Sequence, residues 1–264
     1  MKFIIQLFVS IGLLTGITNA TLGQNKQEKT EFSFNNNFVS LDGKELALGN
    51  PLDTDGNVHQ FNSAVLHFLR TNLSIPKGTI VLLPGGGYKQ LNLKNEGEKT
   101  AVSLNSLGFD VAILEYHISS DTHVRDLALT DALKALRLLR SNQSTISIRG
   151  NRLGILGISS GGHLAARVVQ KLNEKEQPDQ LLLINPCFLN ETNPGSVFAN
   201  VMPPIHPKAR LFVSFTTKDD SIWIKSGEQY FKTWKGYDGE AAFYLLPDSE
   251  KIATKDFNPL DNQT

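Results

Sequence analysis

The sequence predicts an α/β protein with a mostly parallel central sheet covered by helices on both faces. Short continuous apolar runs, typical of strands buried on both faces, alternate with segments of helical periodicity. The chain has 264 residues, 40% of them apolar, enough for one large core and one domain. The runs interpreted as strands are 79–83, 110–116, 152–158, 179–185, 210–216 and 241–246.

Two earlier segments, 38–48 and 64–73, carry β-type residues with Gly-Asn-Pro and Asp-Gly turn signals between them. We interpret them as an antiparallel opening of the sheet. Helices are predicted at 98–107, 124–140, 163–172 and 225–235, and the second of these is strongly amphipathic. The segment 190–207 contains four prolines and is predicted to be irregular.

The N-terminus has the features of an export signal. Lys2 provides a positive charge, 3–17 is largely apolar, and Thr18-Asn19-Ala20 is a small-x-Ala cleavage pattern. The apolar segment is short for a bilayer span, so an uncleaved anchor is the less favoured alternative. The predicted organisation is a signal peptide at 1–20, a flexible leader at 21–37 and one domain at 38–264, in a secreted or periplasmic protein.

Charge and cysteine content limit the classes of partner. Lys plus Arg and Asp plus Glu number 26 each, so no basic field attracts nucleic acid or a membrane surface. Cys187 is the single cysteine and therefore forms no internal disulfide. It is interpreted as a buried structural thiol, with a reactive thiol as the alternative.

The pattern G-x-S-x-G occurs at 157–161, between an apolar run and a helical segment. A strand, a sharp turn and a helix are the context in which a serine hydroxyl is exposed on a strained corner. Gly157 and Gly161 would allow the strand and helix to approach closely, and the N–H of Ser160 would face a developing oxyanion. Ser159 is the predicted nucleophile; the alternative is an accidental Gly-rich turn.

A second Gly-rich turn, Pro84-Gly85-Gly86-Gly87, follows the run 79–83. Its uncovered backbone N–H groups could bind the negative oxygen of a tetrahedral intermediate together with Ser160. A phosphate loop would need a following Gly-Lys-Ser or Gly-Lys-Thr, which is absent, and a dinucleotide fingerprint would need glycine where Gln90 stands. An oxyanion loop is therefore favoured over a plain turn or a phosphate site.

These motifs together resemble a known family. The segments LLPGGGY, EGEKTAVSLNSLGFDVAILEYHI, DALKALRLLRSN and NRLGILGISSGGHLAA are similar to those of bacterial α/β-hydrolase esterases related to acetyl-xylan and other carbohydrate esterases. The resemblance covers about 79–220. It implies an α/β-hydrolase fold, Ser159 as nucleophile, and an oxyanion hole formed by Gly86, Gly87 and Ser160.

The resemblance also implies a carboxylate in the loop after the penultimate strand, where the sequence is FTTKDDSI. The family pattern favours Asp220 over Asp219 as the residue that orients a catalytic histidine. The alternative is that both carboxylates cap a helix or a turn.

The chain departs from the family where a histidine should follow the last strand. No histidine follows His206, and Lys251 or Glu250 occupies the corresponding place. We therefore expect a shortened C-terminal end of the fold. Other candidates for the base are His117, His206 and Lys251, whereas His163 is interpreted as structural.

The sequence therefore predicts a secreted serine carboxylesterase that cleaves small acyl esters, such as acetyl groups on carbohydrates, through an acyl-enzyme on Ser159. Its partner would be a small-molecule or polysaccharide ester, without nucleic acid, a stable membrane anchor, a metal or an organic cofactor. The alternative is a non-catalytic or truncated relative.

Overall fold

A computed structural model describes residues 38–40, 53–59, 64–121, 123–141, 148–190 and 201–247. In this part of the chain one sheet contains eight strands. They are β1 (Phe38–Ser40), β2 (Val65–Leu69), β3 (Thr79–Leu83), β4 (Asp110–Glu115), β5 (Leu153–Ile158), β6 (Gln180–Ile184), β7 (Arg210–Thr216) and β8 (Ala241–Leu246). The α-helices are α1 (Lys99–Ser106), α2 (Val124–Arg140), α3 (Ser160–Lys171) and α4 (Ser221–Gly236).

The strand order is β1-β2-β4-β3-β5-β6-β7-β8. The β1–β2 and β2–β4 pairs are antiparallel, and all later pairs are parallel. The antiparallel opening and the mostly parallel sheet are therefore confirmed. The carboxyl ends of β3, β5, β6 and β7 lie side by side at one edge.

The helices cover both faces of this sheet. The connection from β3 through α1 to β4 runs across the sheet in the opposite direction to the later connections. Because such crossovers are right-handed, α1 lies on one face and α2, α3 and α4 lie on the other. Contacts between α2 and α3 agree with their placement on one face.

The core is built from strands that are apolar along their whole length. Every residue of β3, β4 and β5 is buried, because these strands have a neighbour on each side and helices above and below. By contrast, β8 is an edge strand and most of its residues are half-buried. The nucleophile candidate therefore extends from the rigid centre of the sheet.

The bounds of α2, β3, β7 and β8 agree with the sequence prediction. Two helices begin earlier than predicted: α3 starts directly after Ser159, and α4 starts at Ser221 because Asp220 caps it. A single π-helical turn, Leu93–Glu98, leads into α1 and was not predicted.

Several predictions fall outside the described residues: the signal peptide, the leader, the roles of Glu250 and Lys251, and the shortened C-terminal end. None of the helices in the described ranges has both the length and the apolar character that crossing a bilayer requires.

Candidate active site

Ser159 occupies the sharp corner between β5 and α3. Its backbone has φ 53° and ψ −121°, a conformation that residues other than glycine rarely adopt. Its N–H donates to the carbonyl oxygen of Ile184 at 3.0 Å, which anchors the corner to the neighbouring strand β6. The strained strand–turn–helix geometry predicted for this serine is therefore present.

The two flanking glycines permit this corner. A Cβ on Gly157 would lie 2.2 Å from the carbonyl oxygen of Gly161, and a Cβ on Gly161 would lie 2.1 Å from that of Leu83. Both obstacles are backbone atoms, which cannot swing aside. The close approach of strand and helix inferred from the sequence is confirmed.

The Gly-rich loop after β3 lies against the serine corner. Gly86, Gly87 and Tyr88 all have positive φ, which gives the loop its tight path. The N–H of Gly87 donates to the Oγ of Ser160 at 2.8 Å. Ser160 is the first residue of α3, so its own N–H has no partner within the helix. The structure thus brings the predicted oxyanion residues Gly86, Gly87 and Ser160 together, with the Gly87 amide already engaged.

Buried hydrogen bonds of Tyr116 hold the Gly-rich loop against the serine corner. The Tyr116 hydroxyl donates to the carbonyl oxygen of Pro84 at 2.6 Å. Burial raises the pKa of the Tyr116 phenol, and a hydrogen bond with the Ser160 side chain opposes that shift. Ser160, fully buried, therefore joins the glycine loop, the helix and Tyr116.

His163 belongs to the supporting structure. Its Nδ1 lies 2.7 Å from the Tyr88 hydroxyl, and its side chain is buried. Burial, with the nearby charges of Arg167 and Arg125, lowers the pKa of His163 to about 3. The imidazole is uncharged at neutral pH and packs against Tyr88 and Phe188. These contacts agree with its interpretation as structural.

Glu96, in the π-helical turn, lies beside the serine and was missed by sequence reasoning. Its Oε2 accepts a hydrogen bond from the Gly85 N–H at 2.6 Å, and its Oε1 accepts one from Asn92 at 3.1 Å. A Cβ added to Gly85 would lie 2.7 Å from the Glu96 Oε2 and 2.8 Å from the Ser159 Cβ. The Glu96 carboxylate and the Ser159 side chain are therefore neighbours. Burial raises the pKa of the Glu96 carboxyl. π-helical turns often occur at functional sites, but no sequence pattern predicts this turn. The sequence therefore contains no signal that would have identified Glu96.

The two candidate carboxylates after β7 have different contacts. Asp220 is exposed, and its Oδ1 accepts a hydrogen bond from the N–H of Ile222 at 2.8 Å, so it caps α4. Asp219 Oδ2 accepts hydrogen bonds from the N–H and Oγ1 of Thr216, and its Oδ1 accepts one from Asn185 at 3.1 Å. Asn185 follows β6, the strand next to Ser159. Asp219 is therefore bonded toward β6, whereas Asp220 caps α4, and Asp220 as the residue that orients a base stays a prediction.

His117 is the candidate base with an acidic partner in the described chain. Its ring Nδ1 lies 2.6 Å from Asp131 Oδ2, and its backbone N–H donates a hydrogen bond to the same oxygen at 2.9 Å. Asp131 is buried on α2, and burial raises the pKa of its carboxyl, with His117 opposing the shift. His117 follows β4, which is separated from β5 by β3, so about 10 Å separates the two strands. His206 precedes β7, and its carbonyl oxygen accepts a hydrogen bond from Gln177, which precedes β6. It therefore lies near the amino ends of these strands, at the edge opposite Ser159, which argues against His206 as the base.

Cys187 lies next to the serine corner, a position that the sequence did not predict. Its Sγ is 3.8 Å from the Ser159 Oγ, and its N–H donates to the Ser159 carbonyl oxygen at 3.3 Å. Its side chain is buried, as predicted. It therefore forms part of the wall around the hydroxyl.

The architecture is shared with solved hydrolase structures. An acetyl ester-xyloside bifunctional hydrolase from Caldicellulosiruptor lactoaceticus superposes with a TM-score of 0.61 at 22% identity, over 81% of this chain and 86% of that one. The enzyme MGS-M1, from a Medee basin deep-sea metagenome library, gives a TM-score of 0.59 at 22% identity, over 72% and 78%. The fold is that of the α/β-hydrolases.

Sequence comparisons connect this α/β-hydrolase to the model of one family and to curated relatives. The sequence model of the BD-FAE family matches residues 68–195, which include the Gly-rich loop and the serine corner. An acetylxylan esterase of Xylanibacter ruminicola is 30% identical over 114 residues, 43% of this chain and 23% of that protein. The chain thus matches less than a quarter of that relative's length.

Proposed function

We propose that this α/β-hydrolase is a serine esterase that removes small acyl groups, such as acetyl, from carbohydrate esters. The observation that carries the proposal is the strained conformation of Ser159 beside a Gly-rich loop that is held against it. Such strain is retained where it presents a reacting group. Similarity to an acetylxylan esterase supports a carbohydrate ester as substrate.

The reaction would proceed in two steps. The Ser159 hydroxyl loses its proton to a base as Oγ attacks the acyl carbon, and the alcohol leaves with a proton to give an acyl-enzyme. Water then attacks the acyl carbon and releases the acid. The N–H groups of Ser160 and Gly86 would bind the oxyanion, and the Gly87 N–H would contribute only by turning away from the Ser160 Oγ.

The mechanism requires a proton acceptor for the Ser159 hydroxyl. His117, oriented by Asp131, is a candidate, although it stands two strands from Ser159. Asp219 would assist a base that approaches from the β6 side. Loss of the base can remove most of the rate acceleration. An oxyanion hole and substrate binding alone leave a rate about 10³–10⁴-fold above that of the reaction in water.

A second candidate function is a non-catalytic protein that binds acylated carbohydrates. It is favoured by one observation, that no histidine follows His206 in this sequence.

We also propose that the protein is exported, which rests on the apolar segment and cleavage pattern of residues 1–20.

Hydrolysis of p-nitrophenyl acetate by the purified protein distinguishes the two functions. We expect the wild type to release product much faster than Ser159→Ala, which retains only the residual rate that an oxyanion hole and binding provide. Ser106→Ala is a matched control, because its hydroxyl bonds only to a carbonyl oxygen within α1. Equal rates for the wild type and Ser159→Ala would reject the esterase and favour the binding protein.

A further inference from the structure

Two half-buried aromatic rings stand next to the serine corner. The rings of Phe188 and Trp223 meet edge to face, with centroids 5.0 Å apart and planes at 82°. Both side chains remain partly exposed, whereas the other tryptophan, Trp234, is fully buried in the core. Partly exposed aromatic rings in contact with each other are a common feature of ligand sites.

Phe188 and Trp223 both belong to segments that lie near Ser159. Phe188 directly follows Cys187, whose Sγ lies 3.8 Å from the Ser159 Oγ. Trp223 is in the first turn of α4, which begins at the carboxyl end of β7. Both rings therefore lie at the sheet edge that carries Ser159, on its β6–β7 side.

The surrounding backbone holds the rings in place. Phe188 has φ 62°, a conformation unfavourable for a bulky residue and retained mainly at functional positions. The N–H of Asn190 donates to the Ser226 Oγ at 2.7 Å, which ties the segment after Phe188 to α4. The Phe188 ring also packs against His163, with centroids 6.1 Å apart. The pair is thus fixed before any ligand arrives.

Two exposed apolar side chains lie in the segments next to the pair. Ile222, the residue before Trp223, is 59% exposed. Met202 is 46% exposed and follows Val201, whose N–H donates to the carbonyl oxygen of Leu189 at 2.9 Å. Exposed apolar side chains beside the proposed nucleophile favour a binding surface for a ligand that has an apolar face.

We propose that Phe188 and Trp223 form a subsite for a neutral pyranose ring, the alcohol part of the ester cleaved at Ser159. This proposal rests on the proposed function. The C–H face of a sugar ring would pack against the aromatic rings while its hydroxyl groups stay in water. The acyl group would lie beside Ser159, next to the Cys187 thiol.

Intrinsic fluorescence tests the subsite without requiring hydrolysis. The protein contains two tryptophans, and Trp234 is fully buried, so a ligand-induced change reports Trp223. We expect titration of Ser159→Ala with xylotetraose to give a saturable change in tryptophan emission. Binding detected by calorimetry without a change in emission would place the sugar elsewhere and overturn the proposal, as would no binding by either method.

Variants in the Ser159→Ala background sharpen the result. Trp223→Ala should weaken xylotetraose binding, measured by calorimetry, by about tenfold or more, and Trp223→Phe by less. Phe231→Ala is the matched control, because this half-buried ring of α4 packs against Phe243 instead. Equal affinities for Trp223→Ala and Phe231→Ala would overturn the proposal.

This outcome is separable from that of the esterase assay. Sugar binding by a wild type that does not hydrolyse p-nitrophenyl acetate would support the subsite and reject the esterase. Hydrolysis without sugar binding would reject the subsite alone.

Discussion

The backbone N–H of Gly87 donates a hydrogen bond to the side-chain Oγ of Ser160 at 2.8 Å. The side chain of Ser160 thus holds the Gly-rich loop, and its backbone N–H is one of the donors proposed for the oxyanion. The same Oγ bonds to Tyr116, which in turn donates to Pro84. The loop and the serine corner are therefore one rigid unit.

Ser160→Ala tests this connection. The variant should lose about 1–3 kcal/mol of unfolding free energy, because the Gly87 N–H and the buried Tyr116 hydroxyl each lose a partner. The esterase kcat should also fall, since the loop is no longer held in place. Urea unfolding and p-nitrophenyl acetate kinetics measure the two effects, with Ser106→Ala as control. Wild-type stability in Ser160→Ala would contradict the role of this hydrogen bond.

Gly161→Ala tests whether backbone contact forms the corner. The new methyl group would lie 2.1 Å from the Leu83 carbonyl oxygen, so we expect a loss of about 1–3 kcal/mol or more in unfolding free energy. Gly236→Ala at the end of α4 is the matched control, because nothing lies within 4 Å of its added Cβ. There we expect little change, or a gain of up to about 1 kcal/mol from helix propensity. Similar melting temperatures for the two variants would contradict the close approach.

Glu96→Gln tests the buried carboxylate through pH. Because burial raises the folded-state pKa of Glu96 above its unfolded value, its contribution to stability is greatest below the unfolded value of about 4.3 and is lost as the pH rises through the folded pKa. The variant does not ionise at this position. Its unfolding free energy should therefore improve relative to wild type as the pH rises from about 4 to 8.

Urea unfolding across this pH range measures the difference, and a constant or falling difference would refute the shift. In the same comparison, Glu96→Ala should reduce kcat more than Glu96→Gln does. A glutamine still offers a carbonyl oxygen to the Gly85 N–H, whereas an alanine offers none.

Asp219→Asn and Asp220→Ala distinguish the two carboxylates after β7. Asp219 bonds to Asn185 toward the serine, so Asp219→Asn should lower kcat by about tenfold or more if this carboxylate orients the base. Asp220→Ala removes a helix cap and should cost about 1 kcal/mol of stability with little effect on kcat. Kinetic and unfolding measurements on both variants check this. A large loss of kcat in Asp220→Ala with little change in Asp219→Asn would favour Asp220 as the carboxylate that orients the base.

The parts of the site formed by contiguous sequence could be predicted. The Ser159 corner and its glycines follow from local sterics, because only small residues permit a strand to turn directly into a helix. The parallel strands follow from their continuous apolar runs. These features need no knowledge of distant residues.

The rest depends on contacts between distant segments. Glu96 reaches Gly85 through a π-helical turn, and Cys187 reaches Ser159 through the pairing of β5 with β6. Asp219 and Asp220 are adjacent identical residues, and only the beginning of α4 at Ser221 distinguishes the one that caps the helix from the one that bonds to Asn185. None of these relationships has a periodicity or a spacing that sequence reasoning could use.

Covalent trapping tests the central claim, that Ser159 is an activated nucleophile. We expect a fluorophosphonate probe to add one phosphonyl group to the wild-type protein, detected by intact mass spectrometry and mapped to Ser159. Ser159→Ala should gain no mass, and Ser106→Ala should react like the wild type. A wild type that remains unmodified, or an equal mass gain in Ser159→Ala, would contradict the account.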